Sequence, residues 1–168
     1  MKRLLLLITV VLLFISTSAF SQNPLSVGRS QINLGVGLSE WGVPFYIGFD
    51  YGIHPDITIG GELSFRAYRE DYENIYYNHG VIGISGNGNY HFNTLLQIPQ
   101  NWDFYAGLNL GFYVWTSPTD YPGDQASIIG IGGQIGGRYF FTDRFGLNLE
   151  LGSGNAFSGG KFGVTIKL

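Results

Sequence analysis

The chain has 168 residues, 45% of them apolar and 12% charged, with 26 glycines and no cysteine. Its formal charge of −3 argues against nucleic-acid binding, which depends on clustered Lys and Arg. The lack of cysteine excludes a disulfide framework and a thiolate metal site, and a chain of this length accommodates one domain rather than two.

Met1-Lys2-Arg3, the apolar stretch from Leu4 to Ile15, and Ser16 to Ser21 have the three parts of a secretory signal: basic start, short apolar middle, small-residue exit. Ala19 and Ser21 supply the small residues a signal peptidase needs, so residues 1–21 read as a cleaved signal peptide and residues 22–168 as one domain. The apolar run is shorter than the roughly 20 residues of a helical membrane span. Without Lys2 and Arg3, 7 basic residues face 12 acidic ones, a formal charge of −5.

From there almost to the last residue, apolar side chains occupy every second position, the period of a strand with one apolar face. Near Gln31 to Ser39, Ile32, Leu34, Val36 and Leu38 oppose Gln31, Asn33, Gly35 and Gly37. From Phe45 to Ile53, Phe45, Ile47, Phe49 and Tyr51 oppose Tyr46, Gly48, Asp50 and Gly52, and His54-Pro55-Asp56 makes a turn. Ile57 to Tyr68 sets Ile57, Ile59, Leu63 and Phe65 against Thr58, Glu62, Ser64 and Arg66, and a fourth segment runs from Val81 to Phe92. The fifth, Trp102 to Val114, is long enough to cross a bilayer when tilted, which takes about 9–11 residues. Ile128 to Phe140, Phe145 to Gly152 and Lys161 to Leu168 complete eight strands, with loops at 69–80 and 116–127. No segment has a 3.6-residue apolar period, so helices are few or absent.

The expected fold is therefore an all-β, eight-stranded antiparallel up-and-down β-barrel. Its polar face is mostly Gly, Asn, Ser, Thr, Gln and Tyr with isolated charges, whereas a soluble exterior is about 25–35% charged. Such a face suits a narrow interior, and an eight-stranded barrel has room inside only for side chains. With the N-terminus in the periplasm, Tyr51, Tyr90, Phe92, Trp102, Phe104, Tyr139 and Phe145 fall near the inner rim. Phe45, Phe65, Phe112 and Phe162 fall near the other, giving two aromatic girdles around an aliphatic band of transmembrane strands.

In this architecture the chain resembles the small eight-stranded outer membrane β-barrel proteins of Gram-negative bacteria, the group of the outer membrane protein A barrel and outer membrane protein X. Lys161, Gly163, Ile166 and Leu168 fit the terminal signal read by the barrel assembly machinery, except that the last residue is usually aromatic. The resemblance implies insertion by that machinery into outer membrane lipid, after secretion across the inner membrane.

Within such a barrel Asp50, Glu62, Arg66, Asp103, Arg138, Glu150, Lys161 and Lys167 lie on the polar face. Unpaired buried charge is expensive, so a lumen charge network is expected, with Glu62 or Glu150 pairing with Arg66, Arg138 or Lys161. The two readings are a structural plug or a gated, porin-like narrow channel. His54, His79 and His91 do not match the His-x-Ser-Asn cluster of lipid A deacylases, so no catalytic residue is assigned. No cofactor is expected, and the loop Thr116 to Ser127 lacks the oxygen spacing of a calcium site. Tyr72, Tyr76, Tyr77 and Tyr121 are candidates for contact with an external protein or surface ligand; the other reading of residues 69–78 is that strands three and four continue beyond the membrane as a solvated hairpin with tyrosines at the interface. The expected role is non-enzymatic, structural or interactive at the cell surface; the alternatives are a narrow channel and a soluble periplasmic lipocalin-like carrier.

Overall fold

The computed structural model describes residues 24–39, 42–123, 128–154 and 159–168. The expected signal peptide, residues 1–21, lies outside them, as do residues 124–127 of the expected second loop.

Alternating β-branched and aromatic residues, broken by Pro and Asp at turns, produce eight strands. They are β1 (Ser30–Ser39), β2 (Phe45–His54), β3 (Ile57–Tyr72), β4 (Ile75–His91), β5 (Trp102–Thr116), β6 (Ile128–Phe140), β7 (Phe145–Gly154) and β8 (Gly159–Lys167). Each pairs antiparallel with its neighbours in sequence, and β8 returns to β1, so the sheet closes. Closure leaves no edge, the condition for a sheet to stand in hydrocarbon.

Following hydrogen-bonded partners once around the wall gives the stagger. The row runs from Phe104 through Gly137, Leu149, Phe162, Val36, Phe45, Phe65 and Ile82, and meets β5 again at Val114, ten residues beyond its start. The strands therefore tilt, and residues distant in sequence reach the same level of the lumen.

The faces are inverted relative to a soluble barrel. Leu34, Ile47, Leu63, Ile84, Leu110, Ile131, Leu149 and Val164 are exposed on the outer wall, while Gln31, Asp50, Thr58, His91, Asp103, Arg138 and Thr165 are buried inside. The lipocalin-like carrier needs the apolar face inward, and the structure puts it outward.

Pro24 and Leu168, the ends of the described residues, and the turns at Pro55-Asp56, residues 92–101 and residues 141–144 mark one end of the barrel, here the terminal end. There Pro24–Arg29 folds into the mouth: Gly28 N–H donates to Gly52 O at 2.9 Å, Gly52 N–H donates to Arg29 O at 3.0 Å, and Leu25 is buried. A Cβ on Gly52 would stand 2.6 Å from the Ser26 carbonyl oxygen, so glycine is what lets the segment enter.

Two connections take a definite form. Strands β3 and β4 continue past Tyr68 and begin before Val81, pairing through Tyr72–Ile75 as a hairpin beyond the membrane-facing band. Its two-residue turn, Glu73-Asn74, takes positive φ at both positions (52° and 67°), the geometry that matches strand twist. In addition, the connection after β4 contains one helical turn, α1 (Asn93–Leu96), too short to show a period in the sequence.

Candidate functional site

Strand alternation aims the chemistry-bearing side chains inward, and the ten-residue stagger decides which of them meet. Near the terminal end, β2, β5 and β6 bring Asp50, Asp103 and Arg138 together. Arg138 Nη2 donates to Asp50 Oδ2 at 2.8 Å and Nη1 to Asp103 Oδ2 at 2.9 Å, all three side chains being almost fully buried. Gln31 and Asn33 donate their amide N–H groups to the same Asp50 oxygen at 2.9 and 2.8 Å. The guanidinium lies over the Tyr105 ring, 4.3 Å from its centre. That ring in turn covers Gly136, where any Cβ would collide with it.

Asp103 has a second partner. His91 Nδ1 lies 2.6 Å from Asp103 Oδ1, and His91 Nε2 lies 2.9 Å from Thr58 Oγ1, an acid, an imidazole and a hydroxyl in a line. In nucleophilic enzymes such a line must open onto a substrate cleft. Here all three residues are at most 1% exposed, and Asp103 is shared with Arg138, so the line works as a buried hydrogen-bond chain.

At mid-height Lys161 Nζ reaches Glu62 Oε2 at 2.8 Å and Glu150 Oε1 at 2.6 Å. Tyr105 donates its hydroxyl to Glu150 Oε2 at 2.7 Å, and Tyr46 donates to Asn148 Oδ1 at 2.7 Å. Asn148 Nδ2 donates to Thr165 Oγ1, which donates to Asn33 Oδ1, joining the two levels. The central cavity left between Asn33, Tyr46, Asp50, Glu62, Tyr105 and Lys161 measures about 20 Å³, room for about one water.

Of the cations expected beside Glu62 and Glu150, Lys161 lies against both, while Arg138 lies against Asp50 and Asp103. Arg66 goes elsewhere: its Nη1 donates to Ser39 Oγ at 2.8 Å and its guanidinium lies over the Tyr113 ring. Lys167 sits at the terminal mouth with Nζ 3.7 Å from the Phe140 ring centre. Sequence reading did not single out Thr58, Tyr46, Tyr105 or Asn148; their inward parity was the available signal.

The distal end is aromatic. The Tyr121 ring packs edge-on against Tyr72 (6.1 Å), Tyr77 (5.1 Å) and His79 (4.7 Å), and its hydroxyl donates to Glu70 at 3.0 Å. His79 Nδ1 lies 2.9 Å from Ser117 Oγ, so the segment after β5 is fastened across the hairpin. Tyr77, taken from sequence as a loop contact residue, is buried on the inner face of the hairpin; Tyr76 is 64% and Tyr72 38% exposed.

On the outer wall Trp102 lies 4.7 Å from Tyr139 and stacks on Phe104 at 5.5 Å, while Tyr90 meets Phe92 at 5.4 Å. Tyr51 and Phe145 are exposed at the same end. Among the described residues no cluster of acidic and His side chains has the form of a metal site.

By sequence the chain matches no protein-family model and no curated protein. Its structure is similar to the outer membrane protein OprG of Pseudomonas aeruginosa, with a TM-score of 0.66 at 9% identity, covering 86% of this chain and 97% of that one. It is also similar to the N-terminal β-barrel domain of OprF from the same organism (TM-score 0.57, 17% identity, 84% and 98% covered). A third similarity is to Neisserial surface protein A (TM-score 0.52, 16% identity, 83% and 95% covered). The chain is a closed eight-stranded antiparallel β-barrel with the fold of the small outer membrane barrel proteins.

Proposed function

We propose that this chain is a non-enzymatic outer membrane barrel that presents its β3–β4 hairpin and residues 117–123 outside the cell to an external protein or surface ligand. The observation that carries this reading is the filled lumen, whose ion pairs leave a central cavity of only about 20 Å³. With the interior committed to hydrogen bonds, the groups left for recognition stand at the distal end, where Tyr72, Ile75 and Tyr76 are exposed. Tyrosine offers large contact area at low conformational cost.

In this reading residues 1–21 are removed on export, the barrel assembly machinery inserts the chain, and membrane lipid covers the outer wall. The terminal end faces the periplasm, as short turns do in this class of barrel. The absence of cysteine makes that orientation testable. A Tyr76→Cys thiol reacts with a membrane-impermeant maleimide on intact cells, whereas an Asp56→Cys thiol reacts only after the outer membrane is permeabilised. The reverse pattern would overturn the orientation and with it the surface role.

A channel is the second reading, favoured by Lys161, which holds two carboxylates at once and so has an exchangeable partner. In planar bilayers the wild-type barrel is expected to be electrically silent. Steady conductance that changes in Arg138→Ala would replace the recognition role with a gated pore.

A further inference from the structure

We propose that the outer wall formed by β5–β8 carries a site for one phospholipid acyl chain, with the headgroup resting at Trp102 and Tyr139. One cross-strand row on this wall reads Phe104, Gly137, Leu149, Phe162, so a residue without a side chain interrupts a line of large ones. The row below it reads Trp102, Tyr139, Leu147, Val164, and Ile135 and Leu151 stand in the row above. The Phe104 ring leans over Gly137, 3.1 Å from where a Cβ would stand, so the floor there is ring edge and backbone, and Ile135, Leu147, Leu149 and Leu151 stand around it. The gap at Gly137 belongs to a groove of about 500 Å³, within the 300–1,000 Å³ range of small-ligand sites.

The occupant follows from what surrounds the groove. Its walls, Phe104, Ile135, Leu147, Leu149 and Leu151, are apolar and half exposed, and they continue the face that lipid covers. An alkyl chain lying there touches protein on several sides rather than one, and dispersion gains scale with the number of contacts. Trp102 and Tyr139, in contact at 4.7 Å at the end toward the terminal rim, are the two side-chain types that pair an apolar body with a hydrogen-bond donor at the headgroup level. That rim is periplasmic in the orientation proposed above, so the lipid is a phospholipid of the periplasmic leaflet rather than a lipopolysaccharide of the outer one.

Two glycines of the outer wall make the test. A Cβ on Gly137 points into the groove and meets the Phe104 ring at 3.1 Å, whereas a Cβ on Gly88 meets nothing within 4 Å. Gly137→Leu pushes the Phe104 ring aside into the groove and fills it, and Gly88→Leu adds the same bulk to open wall. Full-length barrels are extracted from outer membranes in mild detergent, checked for folding by their faster migration unboiled, and weighed intact in the mass spectrometer. Wild type and Gly88→Leu are expected to carry one phospholipid at detergent levels that leave Gly137→Leu bare. A bare wild type, equal retention in Gly137→Leu, or an adduct with the mass of lipid A would each overturn the proposal.

A second measurement needs no groove variant. The chain has three tryptophans, and Trp41→Phe with Trp115→Phe leaves Trp102 as the only one. Phosphatidylcholine brominated on its acyl chains, titrated into the delipidated barrel in detergent, is expected to quench Trp102 to a plateau near one lipid per barrel. Quenching that rises without saturation as lipid accumulates in the micelle would count against a built site. Neither readout depends on which side labels Tyr76→Cys, apart from the identity of the leaflet.

Discussion

Arg138 is the residue on which the lower lumen depends, because it is the cation shared by Asp50 and Asp103. Arg138→Ala leaves two buried carboxylates facing each other, and breaking a buried pair in this way costs about 3–5 kcal/mol. The loss is to be read from the urea midpoint for unfolding from lipid vesicles. Asp50→Asn combined with Asp103→Asn should recover part of it in the Arg138→Ala background, since amides in those positions keep hydrogen bonding without charge. Lys161 makes the parallel case one level up: Lys161→Met destabilises by repulsion between Glu62 and Glu150, and adding Glu150→Gln relieves it. If the second changes restored nothing, the networks would be incidental to stability. That these charges face inward was legible from alternation alone. Their partners were not, because Asp50 and Arg138 lie 88 residues apart in sequence and meet through the stagger of the whole wall.

At the scale of elements, residues 69–78 are where the sequence left two readings open, a recognition loop or strands three and four continuing as a hairpin, and the ladder runs through to Tyr72–Ile75. Alternation is strict only where one face meets lipid, and from Tyr68 to Asn78 both faces carry polar and aromatic residues, so the signal fades although the ladder continues. What stabilises the hairpin there is its turn and the Tyr121 ring seated among Tyr72, Tyr77 and His79. Asn74 sits at φ 67°, a region that a β-branched residue enters at a cost of roughly 1–2 kcal/mol. Asn74→Val should therefore raise amide exchange between Tyr72 and Tyr77 while leaving β1, β2 and β8 protected. Asn74→Gly should leave the hairpin's protection intact. Equal exchange in all three proteins would mean that packing against Tyr121, rather than the turn, fixes the hairpin.

At the scale of the molecule, eight strands, their order and the lipid-facing side were all readable, since hydrocarbon outside and a narrow polar lumen inside leave one choice of face at every position. The seam was not marked by any local signal. It joins residues 31–39 of β1 to residues 159–167 of β8, the most distant pairing in the sheet, and the ladder is incomplete without it. Deleting residues 159–168 should abolish the fast-migrating unboiled band altogether; a truncated chain that still migrated as a folded barrel would show that seven strands can close. The seam also imposes an order in time. On the export route proposed above, which runs from the N-terminus, β1 emerges first and β8 last, so the earliest strand waits with one edge unpaired until the latest arrives. During that interval β1 is a template for any extended segment nearby. Survival of the protein in transit then depends on how quickly that edge is occupied by something other than a second unfolded copy.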